Sequence, residues 1–183
     1  QGRAVGAIWV LQQISQETGI DKVLGKTRNG LLCLWMVMAR LIDQGSRLSA
    51  VRLAEEHAAC ELLSIDGFNE EDLYAALDWL SENQDRLEKK LFKKSYGEAT
   101  PNMFLYDVTS SYLEGQQNEL GEWGYNRDKK RGKKQIVIGL LCGDDGFPVS
   151  VRVFKGNTTD LQSFSAQIEK TAHEFGCRQV TMV

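Results

Sequence analysis

Residues 103–115 read Met-Phe-Leu-Tyr-Asp-Val-Thr-Ser-Ser-Tyr-Leu-Glu-Gly, and this stretch decides how the second half of the chain folds. Its aromatic and β-branched residues predict a β-strand. Alternation along a strand places Asp107 on the same face as Leu105 and Thr109 and leaves Tyr106 on the opposite face. Because apolar residues occur on both faces, we expect both faces to be covered, as in a sheet that lies between helices.

Asp107 is the one carboxylate within residues 103–113. An ionised carboxylate in a covered strand is unfavourable unless it is hydrogen-bonded, paired with a cation or bound to a metal. Asp107 is therefore a candidate metal ligand. The alternative is that Asp107 ends the strand and caps a turn at residues 109–111 through an Asx-type hydrogen bond.

The composition is that of a globular protein, with 183 residues of which 42% are hydrophobic and 26% charged, and with a net charge of −3. No two of the four cysteines have CxxC spacing, and His57 and His173 have no partner at metal-ligand spacing, which argues against a structural zinc site and a disulfide framework. We expect buried, reduced cysteines in a cytoplasmic protein. The apolar residues 31–42 are too few to span a membrane.

Residues 1–95 are predicted to form an all-helical N-terminal domain. Apolar residues recur at helical spacing in residues 4–17, 31–43 and 49–63, and in two further segments after Asn69. The expected end and start signals are Gly19, which stops the first helix, Ser49, which caps the third, and Asn69, which caps the fourth. Trp9, Trp35 and Trp79 lie on helical stripes and are expected in the core.

Residues 96–183 are predicted to form a second domain, after a break at residues 95–101 that contains Gly97 and Pro101. Strands are expected at residues 134–142, 147–154 and 179–183. The first two are joined by a Gly-Asp-Asp-Gly hairpin turn, and a helix that opens near Thr159 separates the last two. With the strand around Asp107, this β-β-β-α-β order is the opening of a ribonuclease H-like fold, in a mixed α+β or α/β chain. The crossover allows the fourth strand to return to the middle of the sheet, beside the first.

A strongly basic segment lies in the loop between the first two strands. Six of the eight residues from 127 to 134 are Lys or Arg, and Trp123 and Tyr125 precede them. Cations beside aromatic rings favour contact with DNA phosphates and stacking on bases. The alternative is a solvated loop that keeps the hairpin soluble. Lys155 is either a further phosphate contact or an ordinary surface lysine.

Several motifs follow one another in residues 100–183. Residues 106–112 (Tyr-Asp-Val-Thr-Ser-Ser-Tyr) resemble the first-carboxylate motif of the DDE-type transposases of bacterial insertion sequences, of the IS-four-like group. Residues 124–131 (Gly-Tyr-Asn-Arg-Asp-Lys-Lys-Arg) resemble their glycine-tyrosine-basic segment. Residues 146–149 (Gly-Phe-Pro-Val) and 154–160 (Phe-Lys-Gly-Asn-Thr-Thr-Asp) are similar to their glycine-x-proline turn and GN-T-x-D signature.

The resemblance implies Mg²⁺-dependent (or Mn²⁺-dependent) cleavage and transfer of DNA strands, with Asp107 as a catalytic residue and metal ligand. The family has two further carboxylates, an Asp after the fourth strand and a Glu on a later helix. Because the chain begins at Gln1 and ends at Val183, we expect it to be an N-terminal fragment that is inactive alone. The residues expected to contact DNA are Tyr125, Arg127, Lys129, Lys130, Arg131, Lys133, Lys134 and Lys155.

The implied partners are the terminal inverted repeats of the element, the target DNA and a second copy of the protein in a homodimer. No membrane is involved, and the protein would associate with the nucleoid when it acts. The N-terminal helices are candidates for binding the element ends. An alternative is a truncated or co-opted transposase remnant that binds DNA or protein without catalysis. A third is another ribonuclease H-like nuclease, such as a resolvase.

Overall fold

The computed structural model describes residues 2–97, 99, 101, 103–115, 117–125, 132–175 and 181–182. The chain divides into two compact units, Gln1–Lys94 and Ser95–Val183. The first unit is helical and the second contains a four-stranded sheet, so the chain is mixed α+β with helices preceding the sheet. Within the described part of the chain, no helix has both the length and the apolar character needed to cross a membrane.

The helices up to residue 96 are α1 (Gly6–Thr18), α2 (Ile20–Leu24), α3 (Arg28–Ile42), α4 (Arg47–Glu56), α5 (Ala59–Leu63), α6 (Glu70–Glu82) and α7 (Gln84–Tyr96). Their apolar faces form a common core around α3, in which Trp35 is fully buried. The indole N–H of Trp35 donates to the Ala50 carbonyl at 3.2 Å, so its polar atom is satisfied inside the core.

The predicted starts and ends of the helices were partly right. Gly19 adopts the left-handed conformation at φ 72° and ends α1, as predicted. Asn69 caps α6 through a reciprocal capping box with Asp72, also as predicted. The cap expected at Ser49 was wrong. Ser46, one turn earlier, accepts the backbone N–H of Ser49 at 3.2 Å and begins α4.

The single helix expected over residues 49–63 was also wrong, because the chain breaks into α4 and α5 at His57. His57 has an extended backbone, at φ −106° and ψ 158°. Ala4 lies beside it, donating its N–H to the Glu56 carbonyl at 3.1 Å and accepting the N–H of Ala58 at 3.0 Å. A segment distant in sequence therefore takes up backbone groups that a continuous helix would have used.

The expected core residues differ in their burial. Trp35 is buried as predicted, and Trp79 is partly buried against the same core. Trp9 is 54% exposed, so its predicted core position was wrong. The buried line of α1 passes through Ile8, and the next residue is turned by about 100° away from it.

The cysteines differ in the same way. Cys33 is buried as expected, whereas Cys60 and Cys142 are only partly buried; all three are free thiols. Cys177 lies outside the described residues. Burial raises the pKa of the Cys33 thiol to about 11, which keeps this group protonated and unreactive at neutral pH.

The sheet has the strand order β3-β2-β1-β4. Its strands are β1 (Phe104–Tyr112), β2 (Gln135–Gly143), β3 (Pro148–Lys155) and β4 (Thr181–Met182), and helix α8 (Asp160–Phe175) connects β3 to β4. β2 is antiparallel to both β1 and β3, whereas β4 is parallel to β1. The fourth strand thus returns beside the first, as predicted, but among the described strands it lies at the end of the order and not in the middle. Gly176, expected to end α8, lies outside the described residues.

The two faces of this sheet differ. On the covered face Phe104 and Tyr106 are buried, and the ring of Phe164 from α8 lies 6.0 Å from that of Tyr106, centroid to centroid. The opposite face, called here the open face, is defined by Asp107, Thr109, Leu140, Val151 and Val153, of which Val153 is 47% exposed. The expectation of two covered faces was wrong for the described residues, since α8 packs on one face.

Candidate functional site

Asp107 lies in the middle of β1, opposite Leu140 of β2, and its side chain is exposed on the open face. The predicted burial of this acid was therefore wrong, because nothing described covers the open face. The alternative role as a turn cap was also wrong, since β1 continues without interruption to Tyr112. The Oδ1 atom of Asp107 accepts the backbone N–H of Val108 at 2.8 Å.

The Asp107 carboxylate is accessible to a ligand. It forms no salt bridge with another described residue, and exposed carboxylate oxygens are the ligands that Mg²⁺ prefers. The described residues nevertheless include no group of three His, Cys, Asp or Glu side chains able to hold a metal ion. They therefore provide one ligand and do not by themselves fit a metal. The Mg²⁺ or Mn²⁺ assignment stays a prediction.

The acids of the β2–β3 hairpin have a structural role, as predicted. Asp145 Oδ1 accepts the Phe147 backbone N–H at 2.9 Å and the Tyr96 hydroxyl at 2.6 Å. The hydrogen bond from Tyr96 has the larger effect of the two, and both lower the pKa of Asp145. Burial and the neighbouring Asp145 carboxylate raise the pKa of Tyr96. Gly146, at φ 78°, completes the turn.

The expected capping box at the start of α8 is present. The side chain of Gln162 accepts the Thr159 backbone N–H at 3.1 Å, and the Thr159 hydroxyl accepts the Gln162 N–H at 3.4 Å. Asp160 is the first residue of the helix, where a carboxylate is stabilised by the helix dipole. The terminal residues of the GN-T-x-D signature therefore serve to begin a helix.

The basic segment is described only at its C-terminal end, residues 132–134. Arg127, Lys129, Lys130 and Arg131 lie outside the described residues. Lys133 pairs with Glu114 on the opposite side of the hairpin, and Lys134 is partly buried, its carbonyl accepting the N–H of Leu113 at 2.9 Å. Lys133 is therefore less available to DNA than an unpaired lysine.

The two remaining predicted DNA-binding residues are exposed. Tyr125, which immediately precedes the undescribed part of the basic segment, is 82% exposed. Lys155 is exposed at the end of β3. Both are accessible to a ligand in solution.

Gln135, which the sequence analysis did not identify, anchors the start of this segment. It is 3% exposed, and its side-chain N–H group donates to the Gly156 carbonyl at 2.9 Å and to the Tyr125 carbonyl at 3.2 Å. Its backbone also pairs with Glu122 in both directions. The available signal was an amide side chain at the beginning of the otherwise apolar residues 135–142.

Two motif glycines allow close backbone contact at this anchor. A Cβ atom on Gly124 would lie 1.8 Å from the Gly156 carbonyl oxygen. A Cβ atom on Gly156 would lie 2.0 Å from the Gln135 carbonyl oxygen. Side chains do not fit at either position, so the loop before the basic segment and the turn after β3 meet only because both residues are glycine.

A cavity of about 590 Å³ lies beside this junction, on the covered face at the end of β1. We call it the strand-end cleft. Its lining residues come from the end of β1, the start of β2, the exposed Tyr125 and the beginning of α8: Val108, Thr109, Ser110, Tyr112, Tyr125, Gln135, Val137, Asn157, Thr158, Thr159, Asp160 and Leu161. The second unit therefore presents two candidate surfaces, Asp107 on one face of the sheet and the cleft on the other.

Comparisons with known protein families, with curated proteins and with solved structures give no match. The function of this protein is therefore inferred from its residues and their geometry. The two features available for that inference are the accessible carboxylate of Asp107 and the aromatic and basic residues around the strand-end cleft.

Proposed function

We propose that this chain is part of a DDE-type transposase with a ribonuclease H-like domain, in which Asp107 is a catalytic metal ligand. The observation that carries this proposal is the position of Asp107. It is an exposed carboxylate in the middle of β1, and β1 is the strand that pairs with antiparallel β2 on one side and parallel β4 on the other. The ordered motifs of residues 106–160 support the same assignment.

The chemistry that we assign to the protein is in-line displacement at a DNA phosphate. Bound Mg²⁺ or Mn²⁺ ions would activate the attacking oxygen and stabilise the leaving oxygen. The contribution of Asp107 is a carboxylate oxygen held in place by a strand that is paired along its length with β2. By the same resemblance, the other ligands would be an Asp after β4 and a Glu on a later helix.

Binding of DNA is the second part of the proposal. The basic segment would neutralise phosphates together with Lys155 at the end of β3, and Tyr125 would stack on bases. The DNA partners are the terminal inverted repeats and the target, and the active complex contains a second copy of the protein. A non-catalytic remnant that binds DNA is the second candidate. It is favoured by the exposed Tyr125 and Lys155, which can contact DNA without a metal site.

The experiment that separates these candidates is Mg²⁺-dependent nicking by the intact protein of a supercoiled plasmid that carries the sequences flanking its gene. Asp107→Asn should abolish nicking and leave DNA affinity unchanged, because an amide is a poorer ligand for a hard cation than a carboxylate. Asp144→Asn is the matched control, since Asp144 is an exposed acid in the hairpin turn, and it should nick normally. Nicking that survives Asp107→Asn would remove the basis of the catalytic assignment.

A further inference from the structure

The strand-end cleft combines an aromatic wall with polar and apolar walls. Tyr125 lines it with a ring that is 82% exposed. Ser110 and Asn157 add polar residues to the lining, and Val137 adds an apolar one. A flat ligand with an aromatic face and hydrogen-bonding edges matches this combination of walls.

Charge distinguishes a base from a phosphate as the occupant. Asp160 adds a carboxylate to the wall of the cleft, which disfavours a phosphate inside it and can accept hydrogen bonds from a base amino group. The described cations Lys133, Lys134 and Lys155 do not line the cleft, and the other cations of the basic segment follow Tyr125 in sequence. A nucleotide would therefore place its base inside the cleft and its phosphates on the cations outside.

The backbone of Tyr125 is fixed by a hydrogen bond from another part of the second unit. Gln135 donates a hydrogen bond to the Tyr125 carbonyl and a second one to the Gly156 carbonyl, which ties the aromatic residue to the turn that precedes α8. An exposed ring on a fixed backbone loses little conformational freedom when a base stacks on it.

We propose that the strand-end cleft binds one unpaired nucleobase of DNA, stacked on Tyr125. This inference rests on the proposed function as a DNA-binding protein and goes further, because it assigns a base-binding site that does not include Asp107. The cleft and Asp107 lie on opposite faces of the sheet. The nucleotide in the cleft is therefore held away from the phosphate that would react at the carboxylate.

The test uses the whole chain and two fluorescein-labelled strands of twelve nucleotides with equal charge. One strand is abasic throughout, and the other is abasic except for one central adenine. The adenine should tighten binding by about 5- to 150-fold, the range expected for stacking of one base. Tyr125→Ala should remove this preference without changing affinity for the abasic strand, whereas Tyr125→Phe should keep it. Phe147→Ala is the control, since Phe147 is exposed but does not line the cleft.

A second variant tests the cleft itself. Ser110→Ile fills it with a β-branched side chain that suits a strand and adds no aromatic face, so it should also abolish the preference for adenine. If neither strand binds at all, both the proposed DNA-binding function and this inference fail. If both strands bind but adenine adds nothing, or if the preference survives Tyr125→Ala and Ser110→Ile, the base-binding cleft alone is overturned.

Discussion

The side chain of Gln135 joins Tyr125, which precedes the basic segment, to Gly156 in the turn before α8. Replacing Gln135 gives a quantitative test of this junction. Gln135→Met keeps the length of the side chain and removes both N–H donors. The Gly156 carbonyl and the Tyr125 carbonyl, bonded at 2.9 and 3.2 Å, would each lose a partner. Both are acceptors whose pairing fixes the loop against the sheet.

The expected loss follows from the burial of the two acceptors. The bond to Gly156 is buried, and an unsatisfied buried acceptor costs about 1–3 kcal/mol. The bond to Tyr125 is partly buried, so water can replace the lost donor in part and the loss there is about 0.5–1 kcal/mol. Gln135→Met should therefore lower the free energy of local opening of the second unit by about 1.5–4 kcal/mol.

Hydrogen exchange followed by mass spectrometry on peptides from β2 and β3 measures this quantity, because it reports the second unit without interference from the helical unit. Gln117→Met is the matched control, since Gln117 is exposed in the loop between β1 and β2. The control should change protection by less than about 0.5 kcal/mol, as surface substitutions usually do. Equal protection in the two variants would refute the anchoring role of Gln135.

Two further predictions concern charge. Reversal of Lys129, Lys130 and Arg131 to Glu should flatten the plot of log affinity for duplex DNA against log salt concentration by about 2.7, at about 0.9 per phosphate contact. The second prediction is that Tyr96→Phe weakens the pH dependence of unfolding at both extremes. The lowered pKa of Asp145 gives stability above about pH 4 that is lost in acid, and the raised pKa of Tyr96 gives stability below about pH 10 that is lost in alkali.

The controls for these predictions are available in the chain. Reversal of Lys22, Lys26 and Arg52, which are exposed cations of the helical unit, changes the net charge equally and should leave the salt slope unchanged. If the salt dependence of DNA affinity had the same slope in both triple variants, binding would depend on net charge and not on the basic segment. For Tyr96→Phe, urea midpoints between about pH 3 and pH 11 decide the matter. An undiminished loss of stability in acid and alkali would contradict the assigned pKa changes.

Local signals were sufficient for the order of elements in the second unit. The Asp-Gly turn, the capping box at Thr159 and the switch to alternating apolar residues each depend on neighbours in sequence. These signals identified three strands, a helix and a fourth strand. The crossover from β3 through α8 then allowed β4 to return beside β1, which is where it lies.

Contacts between distant residues were beyond the same reasoning. The break between α4 and α5 depends on hydrogen bonds from Ala4, more than fifty residues away in sequence. The exposure of Asp107 depends on which face of the sheet α8 covers, and an apolar strand pattern does not specify that face. The hydrogen bonds by which Gln135 joins Tyr125 to Gly156 also link residues 10 and 21 positions away in sequence, so reasoning from neighbouring residues did not predict them.

The pairing of β1 with β2 has a consequence for length changes during evolution. Its register is regular from Phe104 opposite Gly143 to Tyr112 opposite Gln135. Loss of one residue within β1 would turn Asp107 from the open face to the covered face, because neighbouring side chains in a strand point in opposite directions. The ladder between β2 and β3 already contains a bulge at Leu141 and Cys142, where an extra residue is absorbed. Insertions and deletions are therefore compatible with the β3 edge and incompatible with the strand that carries the carboxylate.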